Sequence, residues 1–224
     1  MGEPGADPAW RAWIPGFDRW AATYDDEIAD PWMAYEAAWT FVERSLHAGL
    51  GGLAGRRVAD IGCGTGEFLR RLGQGGAIGA GVEPSAGMRA AAKAKLPDVI
   101  VEEGDLAAIP LGDGSVDAAI ATYVVSHLSA IEQPDAIDEL LRVVVGTGPI
   151  IIVDVPSAGA GDLPRVRQAL QDAGRDDQFE WYERGFGLDL ATWDRRLRDA
   201  RRTVTIEPLG PLLVGLAALP GDVA

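Results

Sequence analysis

The residues best suited to bind a ligand form a glycine-rich run in the first third of the chain. Gly62, Gly64 and Gly66 follow an apolar stretch at 58–61 and precede a helical pattern that begins at Glu67. Glycines at a strand-to-helix turn let the backbone bend sharply and let a ligand approach without meeting a Cβ atom. In open α/β sheets, ligands bind at the carboxyl ends of the strands. The run therefore predicts a ligand site at such an edge.

The spacing of these glycines separates two classes of nucleoside ligand. A dinucleotide loop reads G-x-G-x-x-G, whereas this loop reads G-x-G-x-G and has Glu67 where the third glycine is needed. A carboxylate at that helix start would oppose a pyrophosphate. A cationic sulfonium tolerates acids nearby, so the spacing favours S-adenosylmethionine (SAM) over NAD. An NAD-dependent reductase is the alternative.

Two acids follow the next two predicted strands in order. Glu83 ends the second strand, 21 residues after Gly62, where a carboxylate can accept hydrogen bonds from both ribose hydroxyls. Asp105 follows the third strand and can accept a hydrogen bond from an adenine amino group, while Leu106 packs on the ring. Each acid alone is more often a solvated loop charge. Three features at successive strand ends, however, agree on one nucleoside site.

These segments resemble those of class I SAM-dependent methyltransferases, and most of all the small bacterial YrrT-type methyltransferases. The similar segments are 17–25, 60–66, 81–89 and 121–128, and the resemblance extends over nearly the whole chain. It implies a SAM cofactor. The cofactor contacts that we expect come from Asp60, Gly62, Gly64, Gly66, Glu83, Asp105, Leu106 and Tyr123. Two positions depart from the family pattern: the turn at 146–149, and Ser126, which stands where a second histidine is common.

Methyl transfer leaves few obligatory residues, because the displacement depends mainly on alignment and on exclusion of water. His127, after the fourth predicted strand, is a candidate base for an acceptor that must lose a proton, since its ordinary pKa is near ~6.5. The alternative is a histidine that only shapes the pocket. Tyr24 can reach the methionine end of the cofactor or pack in the core. Asp154 can bind the acceptor, cap a helix or remain a solvated loop charge.

Aromatic residues are concentrated at the start of the chain. The tryptophans that precede residue 40 are Trp10, Trp13, Trp20, Trp32 and Trp39. The predicted lid over the site consists of Trp20, Tyr24, Trp32 and Trp39. The alternative is that this aromatic stripe belongs to the core. Trp181 and Tyr182 are candidates for the acceptor pocket.

From residue 57 onward, short apolar runs alternate with helical patterns. Strands are predicted at 58–61, 78–83, 99–102, 116–122, 150–155, 203–207 and 212–219. The alternation predicts a Rossmann-like, doubly wound α/β fold with a seven-stranded, mostly parallel sheet. One strand is expected to be antiparallel because a short link joins the last two. Residues 1–50 are predicted to form a helical lid ahead of a SAM-binding domain at 51–224, within one structural domain.

Composition limits the partners. With 20 basic and 34 acidic residues, the net charge of −14 disfavours nucleic acid and anionic membrane surfaces. The stretch at 1–10 lacks the features of a signal peptide, and no apolar run approaches the ~18 residues of a membrane span. We therefore expect a cytoplasmic protein. The one cysteine, Cys63, excludes a disulfide framework or a cysteine metal cluster within the chain, and no metal site is predicted.

Together these observations predict a SAM-dependent methyltransferase that acts on an oxygen, nitrogen or carbon atom of a small molecule. The alternative is a protein of the same fold that binds SAM without transferring a methyl group, as a sensor, a scaffold or a cyclase.

Overall fold

A computed structural model of the chain describes residues 9–29, 33–159, 161–176, 179–183 and 186–221, with the backbone alone for Ala9 and Trp181. Trp32, which was predicted to belong to the lid, lies outside the described residues. The same holds for the side chain of Trp181, one of the two candidates for the acceptor pocket.

The chain alternates between strands and helices from residue 57 onward. The strands are β1 Arg57–Ile61, β2 Ile78–Val82, β3 Ile100–Glu102, β4 Ala118–Thr122, β5 Ile150–Asp154, β6 Arg202–Gly210 and β7 Leu213–Pro220. The helices are α1 Ile14–Trp20, α2 Tyr24–Glu27, α3 Tyr35–Leu50, α4 Glu67–Gln74, α5 Ala86–Lys95, α6 Gln133–Val143, α7 Leu163–Asp172, α8 Phe179–Glu183 and α9 Leu190–Asp199. A 3₁₀ turn at Ala9–Trp13 precedes α1.

The strands form one sheet in the order β3-β2-β1-β4-β5-β7-β6. Neighbours from β3 to β5 are parallel. Strand β7 pairs antiparallel with β5 on one side and with β6 on the other. The predicted seven-stranded sheet with one antiparallel strand is therefore confirmed. The strand order places the carboxyl ends of β1 and β4 side by side. After β1 the chain continues to β2 on one side, and after β4 it continues to β5 on the other side.

Helices cover both faces of the sheet, because apolar side chains point alternately to one face and to the other. In β5, Ile150 and Ile152 pack in a cluster with residues of α6 and α9. Ile151 and Val153 point to the opposite face and pack in a cluster with residues of α3 and α4. All five β5 residues are buried, which explains the nearly continuous apolar run in the sequence.

The N-terminal segment divides into two parts with different positions. Helix α3 contributes Phe41, Val42 and Leu46 to the core on one face of the sheet, and it ends at Gly51 in the left-handed conformation. It is thus one of the layers that cover the sheet. Residues 9–29, here called the arm, contain the 3₁₀ turn, α1 and α2, and they contact residues at the carboxyl ends of the strands instead.

Helices α7 and α8, here called the cap, occupy the connection between β5 and α9. Their residues Val166, Leu170, Phe179 and Tyr182 form a separate small core together with Leu212 from the β6–β7 turn. In the described part of the chain, no helix has both the length and the apolar character that crossing a membrane requires.

Candidate active site

A cleft of about 730 Å³, its mouth included, lies at the carboxyl ends of the parallel strands beneath the arm. Among the residues that line it are many of the predicted site residues: Tyr24, Gly62, Gly64, Glu83, Asp105, Leu106, Tyr123 and His127. The structure therefore brings most of the predicted site residues together in one place.

The glycine loop presents bare backbone to this cleft. Gly62 has a φ of +77° and Gly64 a φ of +54°, values that favour glycine. A Cβ atom on Gly62 would collide with the side chain of Val124. Gly66 has a different position, because a Cβ atom on it would crowd Ala92 and Leu96 at 3.3 and 3.1 Å. Gly66 thus allows close packing on α5 and lies outside the cleft lining.

Glu83 joins the glycine loop to the second strand. Glu83 is buried, with only 7% of the residue exposed. Its Oε2 accepts a hydrogen bond from the Gly64 N–H at 2.9 Å, and its Oε1 accepts one from the Ser85 N–H at 2.8 Å. Burial raises the pKa of Glu83 above its ordinary value. The two backbone bonds fix the carboxylate at the cleft wall and leave lone pairs for a ligand.

Asp60 lies on β1, directly before the glycine loop and behind the cleft wall. It is 1% exposed, and neither carboxylate oxygen has a hydrogen-bond partner among the described residues. Burial, and then the negative charge of Glu83, raise the pKa of Asp60 to about 8. Burial, followed by the charges of Glu83 and Asp60, raises the pKa of the cleft residue Tyr24. A buried acid without a partner is costly, and a nearby cation would compensate it.

Asp105 and Leu106 form the far wall of the cleft. The Oδ1 of Asp105 accepts hydrogen bonds from the N–H groups of Ala107 and Ala108, at 2.8 and 3.2 Å. Its Oδ2 lies 3.5 Å from Nη2 of Arg11, which belongs to the arm. Leu106 is 2% exposed and supplies an apolar surface beside these oxygens.

Several residues of the arm that cover the cleft lie within the predicted lid segment 1–50 but are not among the four aromatic residues named for the lid. Trp10, Trp13, Ile14 and Phe17 line the cleft. Their spacing of three, four and seven residues is that of one helical face, so the same periodicity test could have found them. Trp20 contacts Tyr24 edge-to-face, with ring centroids 4.7 Å apart.

Trp39 lies elsewhere, although it was predicted to belong to the lid. Its ring packs against Phe68 at a centroid distance of 5.6 Å, and Arg71 lies over it. Both partners belong to α4, outside the residues that line the cleft. The helical pattern of α3 fits core packing and a lid equally well, and in the structure Trp39 packs on the α3–α4 side of the sheet.

His127 is enclosed by aromatic rings. The centroids of Trp13 and Phe17 lie 5.3 and 5.4 Å from the imidazole centroid, both edge-to-face. Burial lowers the pKa of His127 to about 4, and a hydrogen bond with the backbone of Tyr123 opposes this shift. The imidazole is therefore neutral at physiological pH.

The loop after β4 has a fixed, strained conformation. Tyr123 has a φ of +59°, which is uncommon for a residue with a side chain. Its hydroxyl donates to the backbone oxygen of Met33 at 2.5 Å. Asp154 Oδ2 accepts from the N–H groups of Val124 and Ser126 at 2.8 and 3.0 Å. The buried Asp154 thus holds the loop that carries Tyr123 and His127.

Two acids of the arm attach it to the sheet domain. Asp18 Oδ1 accepts hydrogen bonds from the Ser85 hydroxyl at 2.6 Å and from the Gly87 N–H at 2.8 Å. Asp25 Oδ1 accepts from the Thr65 hydroxyl at 2.6 Å, and Asp25 Oδ2 lies 2.5 Å from Lys95 Nζ. Sequence analysis placed both acids in a family-like segment but gave them no role.

Cys63 is buried in the glycine loop. Burial, followed by the charges of Asp60 and Glu83, raises the pKa of its thiol, so the thiol is not activated as a nucleophile. In the part of the chain that the structure describes, no three His, Cys, Asp or Glu side chains are grouped so that they could hold a metal ion.

Comparison with known proteins identifies the family. Residues 59–152 match the methyltransferase domain family. The chain is 27% identical over 207 residues to an uncharacterized methyltransferase of Anoxybacillus flavithermus, covering 89% of this chain and 93% of the relative. It is 30% identical over 177 residues to one of Geobacillus sp. strain WCH70, covering 79% and 78% respectively. The chain belongs to this methyltransferase family.

A solved structure shows the same fold. Magnesium protoporphyrin IX methyltransferase from Synechocystis, solved with bound S-adenosylhomocysteine, superimposes with a TM-score of 0.69 at 22% identity. The alignment covers 94% of this chain and 98% of that chain. The predicted Rossmann-like fold is thus confirmed. The family also confirms the predicted enzyme class, a SAM-dependent methyltransferase.

Proposed function

We propose that this methyltransferase binds SAM in the cleft beneath the arm and transfers its methyl group to a small molecule. The observation that carries the proposal is the acid pair at the glycine loop. Asp60 is buried without a partner among the described residues, and Glu83 is fixed beside it at the cleft wall. A cationic ligand compensates such acids, whereas a pyrophosphate would be repelled by them.

The remaining walls of the cleft fit the other parts of the cofactor. Glu83 has lone pairs available for the ribose hydroxyls. Leu106 offers an apolar surface for the adenine ring, and Asp105 lies beside it as an acceptor for the amino group. The bare backbone at Gly64 allows close approach of the ligand, since a Cβ atom there would meet only the Tyr24 ring, at 3.8 Å, whereas Gly62 is needed because a Cβ atom would collide with Val124.

SAM supplies an electrophilic methyl group on a sulfonium. The protein has to align an acceptor with that group and keep water away. Trp13 and Phe17 of the arm cover the cleft with apolar rings, and Asp18 and Asp25 attach the arm to the domain. We infer that the arm excludes water during transfer.

His127 and Tyr24 are the residues that we propose next to the acceptor. Both line the cleft and a second cleft beside it. With a pKa of about 4, His127 is a weak base. We therefore propose that it positions the acceptor and that it accepts a proton only from an acceptor whose reacting group is acidic. Burial raises the pKa of Tyr24, which leaves the neutral phenol as a hydrogen-bond donor.

The binding step is tested by calorimetry with SAM and S-adenosylhomocysteine. We expect both to bind the unaltered chain, and Glu83→Ala to abolish binding. Asp60→Asn should weaken SAM binding by about 10- to 100-fold, since a contact with a charged group contributes about 1.5–3 kcal/mol. The matched control is Glu103→Gln, because Glu103 is an exposed acid near the same strand edge. Preferential binding of NADH would overturn the proposal.

The transfer step is tested by mass analysis of candidate small molecules incubated with SAM and the enzyme. A gain of one CH₂ in a product supports methyl transfer. Binding of SAM with no methylated product across a broad set of acceptors would favour the alternative, a SAM-binding protein of the same fold without transfer. A small-molecule acceptor is preferred to nucleic acid because the net charge is −14.

A further inference from the structure

A second cleft adjoins the first and shares part of its wall. Phe17, Tyr24, Tyr123 and His127 line both clefts. The second cleft extends from this shared wall towards the cap and the β6–β7 turn, and it measures about 1090 Å³ with its mouth included. The lining residue Tyr182 belongs to the cap, and Leu212 belongs to the turn.

We propose that this second cleft binds the methyl acceptor, and that the acceptor is an uncharged, planar aromatic molecule. The assignment rests on the proposed function, because the shared wall borders an acceptor site only if SAM occupies the first cleft. The charge of the lining residues and the shape of their side chains support the choice of acceptor class.

The charges of the second cleft exclude an anionic acceptor. Its lining residues, as far as the structure describes them, include neither lysine nor arginine. The acids nearby are Asp154, which lines this cleft, and Asp60 and Glu83 behind the shared wall. A carboxylate or phosphate in this cleft would therefore lie beside acidic groups without a basic partner, which is strongly unfavourable.

A cationic acceptor is also disfavoured, although Asp154 lines this cleft. Asp154 Oδ2 already accepts from Val124 and Ser126, and its Oδ1 accepts from the Val155 N–H at 2.8 Å. This carboxylate is thus occupied by the backbone that it holds in place. The sulfonium of SAM in the neighbouring cleft would also repel a second cation.

The side chains of the second cleft favour a flat ring. Phe17, Trp20 and Tyr24 of the arm contribute aromatic residues, Tyr182 contributes one from the cap, and Met33 also lines this cleft. Aromatic rings attract other rings through stacked and edge-to-face contacts, and sulfur packs well on ring edges. A saturated molecule of equal size would lose these contacts.

The test measures binding of three matched probes to the protein saturated with S-adenosylhomocysteine, by calorimetry. The probes are 2-naphthol, 6-hydroxy-2-naphthoate, which adds a charge, and decahydro-2-naphthol, which removes planarity. We expect 2-naphthol to bind at least about tenfold more tightly than either of the others. Equal or tighter binding of the carboxylate or of the saturated ring would overturn the assignment, and so would no binding of any probe.

A substitution in the second cleft tests its location. Met33→Lys introduces a cation among the lining residues and should raise the affinity for 6-hydroxy-2-naphthoate relative to 2-naphthol. Met33→Leu is the matched control and should retain the original preference. An unchanged preference in Met33→Lys, in protein with an unaltered melting temperature, would place the probe elsewhere and overturn the assignment. Failure of S-adenosylhomocysteine itself to bind would instead count against the proposed function.

Discussion

At the residue scale, Asp60 links ligand binding to protonation. Its carboxyl group is buried, lacks a hydrogen-bond partner among the described residues and lies near Glu83. Burial and the neighbouring charge both favour the neutral form, so the group holds a proton at physiological pH in the free protein. A cationic ligand favours the ionised form, and its binding should therefore release that proton.

Calorimetry of SAM binding in buffers of different ionisation enthalpy measures this release. At pH 7 we expect roughly one proton to leave the complex per site, and the affinity to rise with pH until about pH 8. Asp60→Asn should bind with no proton release and with little pH dependence. Equal proton release by this variant and by the unaltered chain would assign the proton to another group.

The free energy of unfolding in the absence of ligand should also depend on pH through Asp60. Folding raises the pKa of Asp60 from 3.8 to about 8, so the folded chain binds more protons than the unfolded chain between these two pH values. The contribution of Asp60 to the free energy of unfolding is therefore complete below pH 3.8 and declines as pH rises towards 8. Denaturant unfolding of the unaltered chain and of Asp60→Asn should diverge across this range.

Gly62 offers a second prediction at this scale. Gly62→Ala adds a methyl group at a φ of +77° and against Val124, and should lower the free energy of unfolding by about 1–3 kcal/mol. Gly73→Ala is the control, because Gly73 lies in α4 with open space around its Cβ position. It should raise the free energy of unfolding by about 0.5–1 kcal/mol. Similar effects of both substitutions in urea denaturation would contradict the conformational argument.

At the scale of elements, the arm and α5 are joined by a shared helix cap. The Ser85 hydroxyl accepts from the Met88 N–H within α5 and donates to Asp18 of the arm. Asp18 also accepts from the Gly87 N–H, in the first turn of the same helix. An acid at a helix start is stabilising there, so closure of the arm and stability of α5 depend on one carboxylate.

Asp18→Ala should therefore loosen the arm. We expect faster proteolysis within residues 9–29 and dissociation of SAM about fivefold faster, equivalent to ~1 kcal/mol for a lost cap. Stopped-flow displacement of SAM measures the rate. Asp26→Ala, at an exposed position of α2, is the control and should behave like the unaltered chain. An unchanged dissociation rate in Asp18→Ala would mean that the arm does not gate the cofactor.

The elements that sequence analysis predicted well are those with a clear hydrophobic period. The strand pattern at 150–155 and the glycine loop specify local structure, and β5 and the loop appear where they were expected. Polar contacts between residues that are distant in the sequence leave no such pattern. The hydrogen bond from Ser85 to Asp18 spans 67 residues, and neither residue type identifies its partner. The position of Trp39 was ambiguous for a different reason: a helix that packs in the core and a helix that covers the site show the same hydrophobic periodicity.

At the scale of the whole molecule, the acidic balance extends into the cleft. The chain carries a net charge of −14, and Asp60, Glu83 and Asp105 lie around the proposed cofactor site. SAM has one more positive charge than S-adenosylhomocysteine. The field of the protein should therefore favour the substrate form of the cofactor over its product.

Ionic strength tests this effect. We expect SAM to bind more tightly than S-adenosylhomocysteine at low salt, and the ratio of the two dissociation constants to decrease as salt screens the exposed charges, without reaching one because the buried Asp60 is screened little. Asp60→Asn should lower that ratio at every salt concentration and leave most of its salt dependence unchanged. If this ratio did not respond to salt in the unaltered chain, the preference for SAM over S-adenosylhomocysteine would come from direct contact alone.

The arm forms a wall of both clefts through Phe17 and Tyr24, whereas the end of the first cleft that is proposed to bind the nucleoside is built from the strand ends. Transplanting residues 9–29 from a relative would hence exchange much of the surface proposed to select the acceptor and spare the loops after β1 and β2. Divergence of substrate preference among such enzymes can then proceed by replacing their leading residues while the scaffold behind them is inherited intact.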